Sequence, residues 1–492
     1  MLRVTTFADV RARTRPKGFR ARCRGAVATV AVVLAAAGCQ PIATGQPVAA
    51  GSGGLAPAAA YADRPLAPYA PSLSLVGDPD ATLAGLSADA RGWSDRLWIA
   101  IAASRDAMEE RAVRGDAYDI GRWLYQYQAA LLLGLRATGD LRFLDEVDVV
   151  TEALRRELSD SWCGGVASRV DVNIRYGTVV EPDGHRNFRL LTGGGRDRCR
   201  DTGDLNEALV HGHLAMVMYA YHANRGLESP AGVDYGERAD FWLRYLRDDF
   251  EAKWRGRSDV AWPSMDFIDL KFCHTYTQMI LFHHFVGQRL REDGSSEAGP
   301  YLREVARLTD GMFDVPYVAG RHPGGFQEVD TPEGRALVYS FGAPGFEDAE
   351  SRTSFEACGV TYARYLATSA LVLRLEGVDR WTDDVLSGLA NGLAHFAFDT
   401  EPVRSARFPV AAGVTGSARV AGIPATRVVG RMPADQLVIS PFAAYGAWNA
   451  TGKVERVLLE AYELVEPDVE RPEQVFVPAG MLLASVFGAP ER

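Results

Sequence analysis

Helices of two unlike kinds alternate along this chain, and that alternation constrains its fold more than any other feature. The first member of each pair is apolar almost all round, as in Trp123–Leu135, Leu209–Tyr221 and Met279–Val286. The second carries charge along one face, as in Arg238–Lys253 and Val378–Leu389. A helix apolar on every side must be buried, whereas one with a charged face lies between core and water. Inner and outer helices alternating through short turns predict an all-α body, an α/α toroid that closes, or nearly closes, from about six helical hairpins.

The pattern begins near residue 85. It predicts helices over Trp93–Ala112, Tyr118–Ala137, Leu141–Leu158, Leu205–Asn224, Tyr235–Lys253, Leu270–Leu290 and Pro300–Phe313. Ser354–Leu375, Trp381–Phe398, Gln436–Asn449 and Lys453–Leu464 follow. Most Gly and Pro residues fall between these spans, where breaks belong. Residues 159–203, 314–350 and 400–433 mix β-branched residues with Gly and Pro, and read as short hairpins or long loops at one rim.

Residues 1–39 read as an export signal of the lipoprotein type. A basic start leads into the apolar run Gly25–Ala37, which ends in Ala36-Ala37-Gly38-Cys39. That ending resembles a bacterial lipobox, and it makes Cys39 the lipidated residue. The run is short for a spanning helix, which needs about 20 apolar residues. Residues 40–82 are rich in Ala, Pro, Gly and Ser and read as a flexible tether, which leaves 83–492 as the folded body. The expected location is the cell envelope, with the chain held to a bacterial membrane by lipid.

Charge removes one class of partner. Residues 1–38 hold eight of the 53 basic side chains and one of the 63 acidic ones, so the remainder carries 45 against 62. A body that acidic does not offer the basic face nucleic acid requires. Export also places the chain in an oxidising compartment. Besides Cys23 and Cys39, four cysteines remain, which allow two disulfides in three pairings. Cys163–Cys199 is the favoured pairing, with Cys273–Cys358 as the second. Without a C-x-x-C spacing, no zinc site is expected.

The starts of the inner helices carry the chemistry. Tyr118 and Arg122 open one, Asn206, His211 and His213 the next, and Lys271, His274, Tyr276 and Gln278 a third. Arg352 and Glu356 open a fourth, and Asp435, Gln436 and Ser440 a fifth. In a regular up-down ring these starts meet at one mouth, where the positive helix ends favour an anion. Six of the nine histidines fall between His211 and His284, and His283 and His284, late in their helix, read as structural. Asn206 shares a helix face with His213, and His211 shares one with Glu207. Lys271, His274 and Gln278 share another, while Tyr276 points elsewhere on an ideal helix. Five arginines between His185 and Arg200, Arg189 among them, form a basic segment suited to clamping carboxylates.

Thr-Gly-Asp turns at 138–140 and 202–204, an inner helix bearing Asn206 and His213, and the run His274-Thr275-Tyr276 resemble the α/α-toroid polysaccharide lyases, the alginate and related uronate lyases above all. That resemblance implies β-elimination on a uronic-acid polymer, with Asn, His or Arg neutralising the carboxylate and Tyr or His moving protons. Asn206, His213, His274 and Tyr276 are then the catalytic candidates. Lys271, Arg122, Arg352, Glu356, Arg189 and Gln278 are the substrate-binding ones. No Asn-His dipeptide is present, although some members carry one. The reading calls for an anionic polysaccharide, a lipid anchor, no cofactor and a monomer. Two other readings stand beside it. A glycoside hydrolase would use a pair of carboxylates drawn from Asp204, Glu207, Asp266, Asp269, Glu356 and Asp435. A non-catalytic glycan-binding lipoprotein would use Trp123, Trp254 and Trp262 as sugar platforms.

Overall fold

The computed structural model describes residues 56–81, 83–160, 184–188, 190–191, 199–200, 204–257, 273–314, 325–339, 360–397, 441–464 and 475–487. These are mostly helical, with a small amount of antiparallel strand. The helices are α1 (Ala88–Arg114), α2 (117–138), α3 (Arg142–Glu157), α4 (Asp204–Ala223), α5 (235–257), α6 (Cys273–Glu292) and α7 (Ala298–Asp314). After them come α8 (Val360–Leu375), α9 (383–397), the 3-10 helix Pro441–Trp448, α10 (Lys453–Leu464) and α11 (Phe476–Phe487). Three are interrupted by wider π turns, at Ile120–Leu124, Tyr245–Glu251 and Leu393–Ala397.

Local signals set the ends. Ser87 accepts from the Ala90 amide to start α1, and Asp234 accepts from the Glu237 amide to start α5. Gly139 ends α2 at φ 73°, a left-handed position that glycine takes without strain. Helix α11 breaks the expected pattern. Its Pro478 sits in the first turn, where the missing N–H costs nothing, and its apolar residues are buried.

The apolar helices touch in succession. α2 meets α4, α4 meets α6, α6 meets α8, α8 meets Pro441–Trp448, that segment meets α11, and α11 meets α2. Each charged helix lies against an apolar one: α3 on α2, α5 on α4, α7 on α6, α9 on α8, α10 on α11 and α1 on α11. Every side chain from Glu207 to His222 and from His274 to Leu290 is buried. The α4–α6 contact depends on Gly212, where a Cβ would come within 2.3 Å of the Gln278 carbonyl oxygen. The strands form three two-stranded antiparallel pairs. β1 (Ser159–Asp160) pairs with β2 (Arg186–Asn187), β3 (Leu190–Leu191) with β4 (Cys199–Arg200), and β5 (Phe326–Thr331) with β6 (Gly334–Tyr339). β6 packs on α9. Residues 398–440, which include the third expected excursion, lie outside the described residues.

Residues 56–81, expected from composition to be part of a tether, lie along the C-terminal ends of the apolar helices. Arg136 of α2 donates to the Leu73 carbonyl, and Asn224 after α4 donates to the Leu75 carbonyl at 2.7 Å and accepts from the Gly77 amide at 2.6 Å. The Ser72 amide donates to Leu375 of α8 at 2.6 Å, and the Tyr69 hydroxyl to Glu376 at 2.7 Å. One strap thus meets the last turns of α2, α4 and α8, so these helices run in the same direction. No described helix is long and apolar enough to cross a membrane. The 1–39 segment with Cys39, the tether residues 40–55, and Cys163 and Cys358 lie outside the described residues, as do the side chains of Cys199 and Cys273.

Candidate functional site

Four apolar helices bring polar side chains together inside the body, one to three turns from their N-terminal ends. α2 supplies Arg122, Tyr125 and Gln128; α4 supplies His213; α6 supplies His274 and Gln278; α8 supplies Arg364, Tyr365 and Ser369. The His213 ring meets the Tyr125 ring edge-on at 4.8 Å, and Tyr125 lies 5.6 Å from the Tyr365 ring. The His274 ring lies 5.9 Å from the Tyr365 ring. Gln278 Nε2 donates to the Tyr125 hydroxyl at 3.2 Å and to Ser369 Oγ at 2.8 Å. Arg364 Nη2 donates to the Tyr365 hydroxyl at 3.1 Å.

The hydrogen bonds fix protonation. Gln128 Nε2 donates to Thr151 Oγ1 at 2.6 Å, which leaves its Oε1 to accept. His213 Nε2 lies 2.7 Å from that oxygen, so the proton sits on Nε2 and Nδ1 carries the lone pair. Burial pushes the His213 pKa down to about 3, and the ring is neutral. His274 is also pushed down to about 3, first by burial and then by the Arg122 and Arg364 guanidiniums. Burial drives the Tyr125 phenol well above its usual value, so it remains a proton donor. Together these residues bring neutral imidazoles, phenol hydroxyls and two guanidiniums to one place.

Of the residues picked out in the sequence, His213, His274, Gln278 and Arg122 meet here. His274 and Gln278 share a face, one turn apart, as their spacing predicts. Tyr276 does not join them: its hydroxyl donates to the Leu308 carbonyl on α7 at 2.9 Å. Its helix α6 is regular from Cys273 to Glu292, so Tyr276 keeps the separate direction that its spacing predicts. Asn206 lies in α4, but its side chain is outside the described residues, as are Lys271, Arg352, Glu356 and Arg189. Sequence reasoning does not single out Tyr125, Tyr365 and Arg364. They sit inside apolar helices within the first three turns, and no motif or spacing marks them.

His211 turns the opposite way from His213, toward a second buried group. Its Nδ1 lies 2.7 Å from the Glu207 carbonyl and its Nε2 lies 2.8 Å from the Tyr245 hydroxyl. The Glu207 carboxylate accepts from Lys253 at 2.9 Å, from Asn187 at 2.6 Å and from Trp254 Nε1 at 3.3 Å. Glu207 and Trp254 are both buried. They fill an ionic core instead of facing a ligand. Trp123 is half-buried beneath Arg111, while Asp266, Asp269, Asp435 and Trp262 lie outside the described residues. His284 accepts or donates at 3.1 Å with Glu376, and His283 is enclosed beside Tyr301. Among the described residues no group of three His, Cys, Asp or Glu side chains is placed to hold a metal ion. Comparison with protein-family models, with curated proteins and with solved structures returns no match.

Proposed function

We propose that the chain is a polysaccharide lyase on an α/α toroid, exported and held to the cell envelope by lipid on Cys39. The closed succession of apolar-helix contacts supports the toroid, and the charged start, apolar run and Ala-Ala-Gly-Cys ending support the anchor. One observation carries the activity: the neutral His274 ring lies 5.9 Å from the Tyr365 ring and within reach of the Arg122 and Arg364 charges.

That arrangement suits β-elimination from a uronate. Arg122 and Arg364 meet the substrate carboxylate and stabilise the charge that spreads onto it as C5 loses its proton. His274 takes that proton, the C5–H electrons become the C4–C5 double bond, and the C4–O4 bond breaks. Tyr365 accepts a hydrogen bond from Arg364, which leaves its O–H to donate to O4 and pass its proton there as the bond breaks. The low pKa of His274 does not oppose this role. Burial, its largest cause, keeps the ring neutral with a lone pair to accept the proton; the guanidinium charges are the lesser causes, and a bound carboxylate offsets those. Glu207, the one carboxylate of the hydrolase reading whose side chain is described, is sealed by Lys253 and Trp254.

The test gives the purified protein alginate, glucuronan and heparin-like chains, with ultraviolet absorbance and reducing ends followed together. Both rise for a lyase, and His274→Ala and Tyr365→Phe abolish both. Reducing ends without absorbance would show hydrolysis. Binding without either would show a glycan-binding protein.

A further inference from the structure

At the opposite end of the same helices, a cavity of about 240 Å3 lies under strap residues 64–69. One face of α6, with His284, Gln288 and Arg291, forms one wall, and α7 and the turn after α8 form the others. It falls below the roughly 300–1,000 Å3 of drug-sized sites and fits a ligand of about one sugar ring. Three features make it more than a packing gap. Gln288 is only 5% exposed, yet its Oε1 has no hydrogen-bond partner among the described residues. A buried acceptor left this way is costly and calls for a donor.

The second feature is charge. Arg64 pairs with Asp310, Arg380 with Asp310 and Asp314, and Glu376 with Arg136 and His284. Arg291 and Arg303 have no carboxylate partner among the described residues. Arg291 donates to the Ala67 carbonyl at 3.0 Å and lies over the Tyr69 ring. The third feature is backbone strain. Arg380, on the cavity wall, is the only described non-glycine residue with positive φ, at 70°. Strained residues gather where a structure holds a ligand or a switch.

We propose that this cavity binds a small hydroxycarboxylate. The carboxylate lies between Arg291 and Arg303, and a ligand hydroxyl donates to Gln288 Oε1. The hydroxyl is what separates this class from an inorganic anion, because sulfate has no proton to give the Gln288 oxygen. Two sources share that chemistry: a sugar acid released by uronate cleavage, or an unrelated open-chain hydroxy acid. The binding does not depend on the proposed lyase activity.

Calorimetry on the full chain tests it with D-glucuronate, D-gluconate, methyl glucoside and sulfate. The expected result is saturable binding of at least one hydroxycarboxylate, with methyl glucoside and sulfate at least tenfold weaker. A preference for glucuronate points to the sugar-acid source, and a preference for gluconate to the open-chain one. Arg303→Met and Gln288→Leu each weaken binding at least tenfold with unchanged far-ultraviolet circular dichroism. If Gln288→Leu does not fold, the partly exposed Arg303→Met tests the same site by itself. His274→Ala retains the affinity, which separates this site from the polar group at the other end. The proposal is overturned if neither hydroxycarboxylate binds saturably, if sulfate binds as well, or if affinity survives Arg303→Met and disappears in His274→Ala.

Discussion

Replacing Glu376 by Gln tests how the strap end of the body is held. The Glu376 carboxylate is fully buried and bound by Arg136, by His284 at 3.1 Å and by the Tyr69 hydroxyl at 2.7 Å. Burial alone would raise its pKa. The Arg136 charge and the His284 hydrogen bond more than reverse that, and bring it from 4.5 to about 2. A folded pKa below the unfolded one gives stability that is fully present above pH 4.5 and lost as pH falls through about 2. The shift corresponds to ~3 kcal/mol at 1.36 kcal/mol per pKa step. Glu376→Gln also leaves the buried Arg136 guanidinium unpaired, and breaking such a pair costs about 3–5 kcal/mol. Urea denaturation followed by tryptophan fluorescence at pH 7 and pH 3.5 measures both effects. The variant is expected to be less stable by about 3–5 kcal/mol at pH 7, with a narrower gap at pH 3.5. Arg136→Met combined with Glu376→Leu should recover much of the loss, since a matched apolar pair replaces a buried ion pair at little cost. A gap below about 1 kcal/mol at pH 7, or one that does not narrow in acid, would refute the account.

Tyr276→Phe removes one hydrogen bond to Leu308, so it should cost about 1 kcal/mol in denaturant titration and leave glycan turnover intact. Loss of turnover on that change alone would return Tyr276 to the chemistry. Gly212→Ala sets a methyl against the Gln278 carbonyl oxygen and should destabilise the protein by about 1–3 kcal/mol, read as a lower melting temperature. An unchanged melting temperature would contradict the close α4–α6 approach. His213, His274 and His283 are all pushed from 6.5 down to about 3, so their stabilising effect is complete above pH 6.5 and fades as pH falls toward 3. Their ring resonances in the ligand-free protein should not titrate between pH 5 and 8, and a midpoint near 6.5 would show that the rings reach water.

Much of the helical body is legible in the sequence because burial on all sides leaves a plain mark, a run without a polar face. The same logic places His274 with Gln278 and turns His211 toward Glu207, since helix geometry fixes directions one turn apart. It does not fix which helices meet. Tyr125, Tyr365 and Arg364 join residues 88 to 240 positions away along the chain, and nothing local announces that convergence. Tyr276 shows the reverse limit. The His-Thr-Tyr run suggests joint chemistry, but two residues along a regular helix is about 200° around it. The strap is hidden for another reason. Its Ala-, Pro- and Gly-rich composition suits a tether, and its main bonds are made by the backbone at Leu73, Leu75 and Gly77, which composition does not display.

The strap also sets an order on folding. Tyr61 meets Asp310 across 249 residues and Tyr69 meets Glu376 across 307. Contacts of such separation form late, because the ends of a long loop must be brought together before any bond offsets that entropy. A chain made or threaded N-terminus first can seat Leu73 to Gly77 once Arg136 and Asn224 have followed, but Tyr61, Tyr69 and Ser72 have no partner until Asp310, Leu375 and Glu376 arrive. Pulse-labelling hydrogen exchange should therefore find the Ser72 amide protected after those of α4 and α6, and earlier protection would break this ordering. The part of the body synthesised first is the part that settles last.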